Sequence, residues 1–61
     1  MRYIYFVIFD TENLKNAEIS SGNKITSMRD IEALEQKLEQ DLNIKDVVIL
    51  YFRLLRVEPQ N

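Results

Sequence analysis

Three carboxylates, Asp10, Glu12 and Asp46, are the side chains of this chain most open to a chemical reading. Asp10 and Glu12 follow one long apolar run and Asp46 precedes another, so a sheet built from those runs would gather the acids at one end. Carboxylates work as a general acid and base only where the surroundings raise one pKa, and they hold magnesium only where further oxygens complete an octahedron. No neighbouring pattern supplies either condition, and solvated turn residues are the plainer reading. The 61 residues include no His and no Cys. That removes the usual general base, the thiol nucleophile and the strong zinc ligands together. The expectation is a protein that is not an enzyme, with no catalytic residues, no metal ligands and no cofactor.

A second set, Tyr3, Tyr5, Tyr51 and Arg53, has the types found on aromatic sheet faces that stack nucleobases. Paired Arg residues at a dimer seam could likewise hold the phosphates of a nucleotide. The electrostatics oppose a nucleic-acid role. Eight Lys plus Arg face ten Asp plus Glu, the net charge is −2, and the sequence pI is near 4.9, whereas phosphate-binding modules normally show a basic excess. Small-ligand or nucleic-acid binding therefore stands as the alternative to protein binding.

The elements that must position these residues follow from periodicity. From Arg2 to Phe9 every position after the Arg is apolar or aromatic, which reads as a strand ending at Asp10-Thr11-Glu12-Asn13. Residues 10–24 are mostly polar. They read as a hairpin loop over residues 10–16, a short edge strand over 17–21, and a turn at Ser21-Gly22-Asn23 in which Gly22 and Asn23 tolerate positive φ. Ser27 with Asp30 resembles a capping box, with Thr26 the competing cap. Ile31, Leu34, Leu38 and Leu42 then recur at helical spacing. Asn43 suits a left-handed C-terminal position, with Ile44 closing a hydrophobic contact. Val47 to Leu55 is a second apolar strand, and fraying is expected after about Val57.

The chain is thus a single small α+β domain over residues 1–61, with element order ββαβ. Its fold is expected to be a three-stranded antiparallel sheet of order 2-1-3, with one helix on one face and strand 1 central. No run is long enough to span a membrane and no signal peptide is evident, so a cytoplasmic protein is expected.

Strict alternation along a strand divides each apolar run into two faces. Ile4, Phe6 and Ile8 with Val48, Leu50, Phe52 and Leu54 form purely apolar sets, the natural match to Ile31, Leu34 and Leu38. Tyr3, Tyr5, Val7, Phe9, Val47, Ile49, Tyr51, Arg53 and Leu55 would then lie on a face without cover. Monomers rarely expose so large an apolar patch, and Tyr and Arg are enriched at interfaces. These nine residues are the expected interface of a homodimer, two sheets stacked face to face with helices outside. Edge-to-edge pairing of strand 3 or of the short second strand is the other geometry. Glu32, Glu35, Glu39 and Asp41 read as a solvated helix surface, or as an acidic docking face for a basic host protein.

The pattern resembles a group of small uncharacterised proteins encoded by phages and prophages of Gram-positive bacteria. Tyr3-Ile4-Tyr5-Phe6-Val7, Ile25-Thr26-Ser27, Asp30-Ile31, Leu34-Glu35 and Val47-Val48-Ile49-Leu50 with Phe52 and Leu55 carry the likeness. That group often has a Gly-rich, more aromatic first hairpin, where this chain has Asn13-Leu14-Lys15-Asn16. The resemblance implies an accessory phage protein without an assigned reaction, working in the host cytoplasm, with antagonism of a host or defence protein as a role. It supplies no catalytic residues.

Overall fold

The computed structural model describes residues 1–59. Four elements follow in the order β1 (Arg2–Asp10), β2 (Leu14–Ser21), α1 (Met28–Leu42) and β3 (Val48–Glu58). The sheet is ordered β2-β1-β3, and both neighbours of β1 are antiparallel to it. This is the expected α+β arrangement, with β1 central. The hairpin is tighter than the polar composition suggested. Asp10 pairs with Leu14, so only Thr11-Glu12-Asn13 form the turn, and residues 14–16 belong to β2. At the other end Glu58 still pairs with Arg2, so β3 runs one residue past Val57. Gln60 and Asn61 lie outside the described residues.

The ends of α1 are fixed locally. Ser27 sits in extended backbone at φ −153° and its hydroxyl accepts the Asp30 N–H, which satisfies one of the donors a helix start leaves free. The Asp30 carboxylate accepts in return from the Ser27 hydroxyl at 3.2 Å, and one residue earlier from the Thr26 N–H at 2.9 Å and the Thr26 hydroxyl at 3.1 Å. The two candidate caps therefore act together. Asn43 takes the left-handed conformation at φ 54°, and the Ile44 N–H reaches back to the Glu39 carbonyl at 3.1 Å, the long bond of a left-handed helix stop. The Ser21 to Asn23 turn is made differently from expectation. No described glycine has positive φ and Asn23 does not either; the Ser21 hydroxyl instead accepts the Asn23 N–H.

Which sheet face the helix covers is the main correction to the sequence reading. Tyr5, Val7, Phe9, Ile19, Leu34, Leu38 and Val47 form one buried cluster, with Tyr3, Ala17, Ile25, Ile44 and Ile49 packed against it. Strict alternation puts Tyr3, Tyr5, Val7, Phe9, Val47 and Ile49 on the uncovered face; they lie on the helix side. The physical reason is the weakest strand. Residues directly opposite in a ladder share a face, and the register sets Tyr5 opposite Ile19 and Val7 opposite Ala17. Ala17 and Ile19 are the only apolar residues in the middle of β2, whose neighbours Asn16, Glu18 and Ser20 are polar. Burying that pair commits the odd-numbered residues of β1 to the core. Leu42, included in the expected helix stripe, is 49 % exposed.

Strict alternation also fails along β3. Ile8 pairs with Tyr51 but Phe9 with Ile49, and Tyr5 pairs with Leu54 but Ile4 with Arg56. Leu50 and Leu55 are the extra residues of two bulges, and each bulge reverses the alternation beyond it. Ile49 thus shares the helix side with Phe9 and Phe52, while Tyr51 and Arg53 lie on the opposite face.

Candidate interaction surface

β1 and β3 have similar apolar composition and opposite environments. On β1, Ile4, Tyr5, Val7 and Phe9 are all buried. On β3 every residue from Leu50 through Val57 is exposed. The cause is position: β1 has a strand on each side, whereas α1 reaches β3 only at its start. There the Glu39 carboxylate accepts the Val47 N–H at 3.1 Å and the Glu35 carboxylate accepts the Ile49 N–H at 2.9 Å. The acidic helix surface is thus partly structural, with two acids one turn apart holding the start of a strand. From Leu50 on, no bond from α1 joins the strand, and Leu50 is 58 % exposed, Tyr51 48 % and Val57 42 %.

The opposite sheet face is divided in two. At one end Arg56 donates to Glu18 at 2.9 Å and to Glu58 at 2.8 Å, and Arg2 donates to the same Glu58 at 2.9 Å. Arg56 belongs to β3 and Glu18 to β2, so their bond crosses the central strand above Ile4, which is 6 % exposed although it faces away from the helix. Charge covers an apolar residue there. The hydrogen bond from Arg56 holds the Glu58 carboxyl below its ordinary value, with the Coulombic pull of Arg56 and Arg2 adding to it. The Arg56 guanidinium is correspondingly raised, first by its bond to Glu58. Toward the Asp10 end the face is open: Phe6 and Ile8 are half-buried, Arg53 places its guanidinium 6.0 Å from the Phe6 ring centre, and Tyr51, Val48 and Leu14 are exposed.

Of the nine expected interface residues, Tyr51, Arg53 and Leu55 are exposed on β3. Tyr5, Val7, Phe9 and Val47 are core residues, and Tyr3 and Ile49 are half-buried against that core. The aromatic platform is not assembled either. Tyr5 is 3 % exposed, its hydroxyl accepts the Ile25 N–H at 2.8 Å, and its ring meets Phe52 edge-on at 6.0 Å. Tyr3 shares that side, while Tyr51 and Arg53 point to the other.

The loop acids sit at the other end of the molecule. Glu12 and Asp46 line a cleft of about 450 Å³ together with Lys15, Lys45, Asn13 and Asn43, so each acid has a lysine in the same cleft. The Thr11 hydroxyl donates to the Lys45 carbonyl at 2.9 Å, tying the hairpin turn to the loop before β3. Asp46 holds the left-handed conformation at φ 58°, which sequence reasoning missed and which Asp tolerates better than most residues. Among the described residues no three His, Cys, Asp or Glu gather closely enough to hold a metal ion. No described helix is long and apolar enough to cross a membrane.

No protein-family model, curated protein or solved structure matches the chain.

Proposed function

We propose that this chain is a non-enzymatic accessory protein that acts by binding protein, as a homodimer, through the apolar surface of β3. One observation carries the reading: Leu50, Tyr51, Phe52, Leu54, Leu55 and Val57 stand exposed in one strand, where soluble monomers usually show only scattered apolar residues. The molecule exposes 4599 Å², against roughly 4,200 Å² for a folded monomer of its mass. So small a core also profits from association, because domains of this size bury the smallest share of their surface alone. The resemblance set out above supports a phage or prophage origin, a place in the host cytoplasm, and a host or defence protein as the eventual target.

Light scattering on the purified chain tests the association. A mass of twice 7.3 kDa that falls toward the single-chain value on dilution is the expected result. A chain that stays monomeric at the highest attainable concentration overturns the reading. The same protein with Asp10, Glu12 and Asp46 changed singly to Asn or Gln should keep that mass, since exposed turn charges contribute under about 1 kcal/mol.

A further inference from the structure

We infer that the second copy adds to the free edge of β3 in one register, antiparallel and centred on Phe52, so that two three-stranded sheets join into one of six strands. The inference rests on the proposed association and fixes its geometry.

Only one edge of the sheet is open to such an addition. Along β2 the residues facing away from the helix are Asn16, Glu18 and Ser20, and the Lys37 ammonium of α1 already occupies the Ser20 carbonyl at 2.6 Å. Polar and charged residues of this kind are how proteins keep an edge from pairing. Along β3 the N–H groups of Val47 and Ile49 are taken by Glu39 and Glu35, which removes the start of the strand. The rest of β3 has no such cover: Leu50, Tyr51, Phe52, Leu54, Leu55 and Val57 are exposed, and of its charged residues Arg56 and Glu58 are already paired toward the far end of the strand, which leaves Arg53 as the one charge beside Tyr51 and Phe52.

The bulges narrow the choice further. Between Leu50 and Leu55 the ladder with β1 is regular over Tyr51, Phe52, Arg53 and Leu54, and a bulge disrupts pairing where it falls. A two-fold axis normal to the sheet places one residue opposite its own copy. Within the regular stretch the central choices are Phe52 and Arg53. Centring on Arg53 sets two guanidinium groups directly opposite, which is destabilising. Centring on Phe52 sets Phe52 against itself and Tyr51 against Arg53 of the partner subunit. Each pair is then apolar on apolar or a cation against an aromatic ring, the latter an attractive pairing. A surface that matches itself this closely points to a second copy rather than to a foreign strand.

Because the chain has no Cys, single cysteines report the register directly. Tyr51→Cys, Phe52→Cys, Arg53→Cys and Leu54→Cys are prepared singly, checked for native circular dichroism, and oxidised alone and as mixtures. The expected result has two parts: disulfide dimers from the Tyr51→Cys and Arg53→Cys mixture form several-fold faster than from either alone, and among single variants Phe52→Cys links faster than Arg53→Cys or Leu54→Cys. A parent chain that is dimeric by light scattering but shows no advantage for the mixture overturns the register and leaves the association standing. A monomeric parent overturns both. A monomer whose β3 amide resonances shift on adding an extended foreign peptide assigns the edge to another occupant and also overturns the inference.

Discussion

Phe9 and Phe52 are the same side chain on the same face of the same sheet, and they have opposite environments. Phe9, on the central strand, is 1 % exposed; Phe52, on the edge strand, is 37 % exposed. Neither apolar run alone distinguishes them. What separates them is the number of neighbouring strands and the reach of a 15-residue helix that meets β3 only at its beginning. Burial here is a property of position in the sheet, and an apolar strand at the edge is surplus that a single chain does not use.

The comparison breaks most sharply by truncation. Phe9→Ala should cost about 3 to 5 kcal/mol, the range for removing a fully buried aromatic ring, and in a domain this small that unfolds a large share of molecules. Leu38→Ala, in the same cluster, should cost about 2 to 5 kcal/mol. Phe52→Ala should cost less, about 1 to 2 kcal/mol in urea melts run dilute, because more than a third of the residue is already in water, yet it should weaken the dimer in concentrated solution. Equal melting losses at positions 9 and 52 would mean that β3 is buried as deeply as β1.

Much of this contrast was legible in the residues. Element order, strand order, the Ser27 start and the Asn43 stop of the helix all follow from local patterns that the fold obeys. The face assignment did not follow from the two apolar strands, because Ile4, Phe6 and Ile8 are as apolar as Tyr5, Val7 and Phe9. The deciding signal lay in β2, whose alternation of Ala17 and Ile19 with Asn16, Glu18 and Ser20 has one dry side. With a three-residue turn, that side falls opposite Tyr5 and Val7. The bulges at Leu50 and Leu55 had no such signal: nothing in an unbroken apolar run marks where a ladder gains a residue. For the same reason the interface residues divided between two faces. Glu35 and Glu39 looked like surface acids because their partners are backbone N–H groups, which sequence pattern does not display.

A smaller change sharpens the contrast from the core side. Tyr5 pairs with Leu54 of β3, but its hydroxyl serves the Ile25 N–H ahead of the helix. Tyr5→Phe keeps the ring against Phe52 and removes only that bond, so the expected loss is about 0.5 to 1.5 kcal/mol. Faster hydrogen exchange at the Ile25 amide should accompany it. An unchanged melt and unchanged exchange would show that the segment before α1 is held by its caps alone.

The smallest expected effect concerns the place where β3 does protect β1, the charged cover over Ile4. Glu58 is held below its ordinary value of 4.5, first by its hydrogen bond from Arg56, and Asp30 below 3.8, first by the Thr26 N–H. A carboxyl with a lowered folded pKa binds fewer protons folded than unfolded. Its contribution is therefore complete above the unfolded pKa and is lost as pH falls through the folded one. Stability should be level across neutral pH and decline on acidification below the ordinary carboxylate range. Salt separates the two groups: Asp30 bonds to uncharged donors, whereas the Arg2, Glu58, Arg56 and Glu18 network is exposed and screened by added ions. Glu58→Gln should accordingly remove the salt-sensitive part of the acid slope and leave the Asp30 part, and Asp30→Asn should do the reverse. An acid slope unchanged in both variants would place the titrating carboxylates elsewhere.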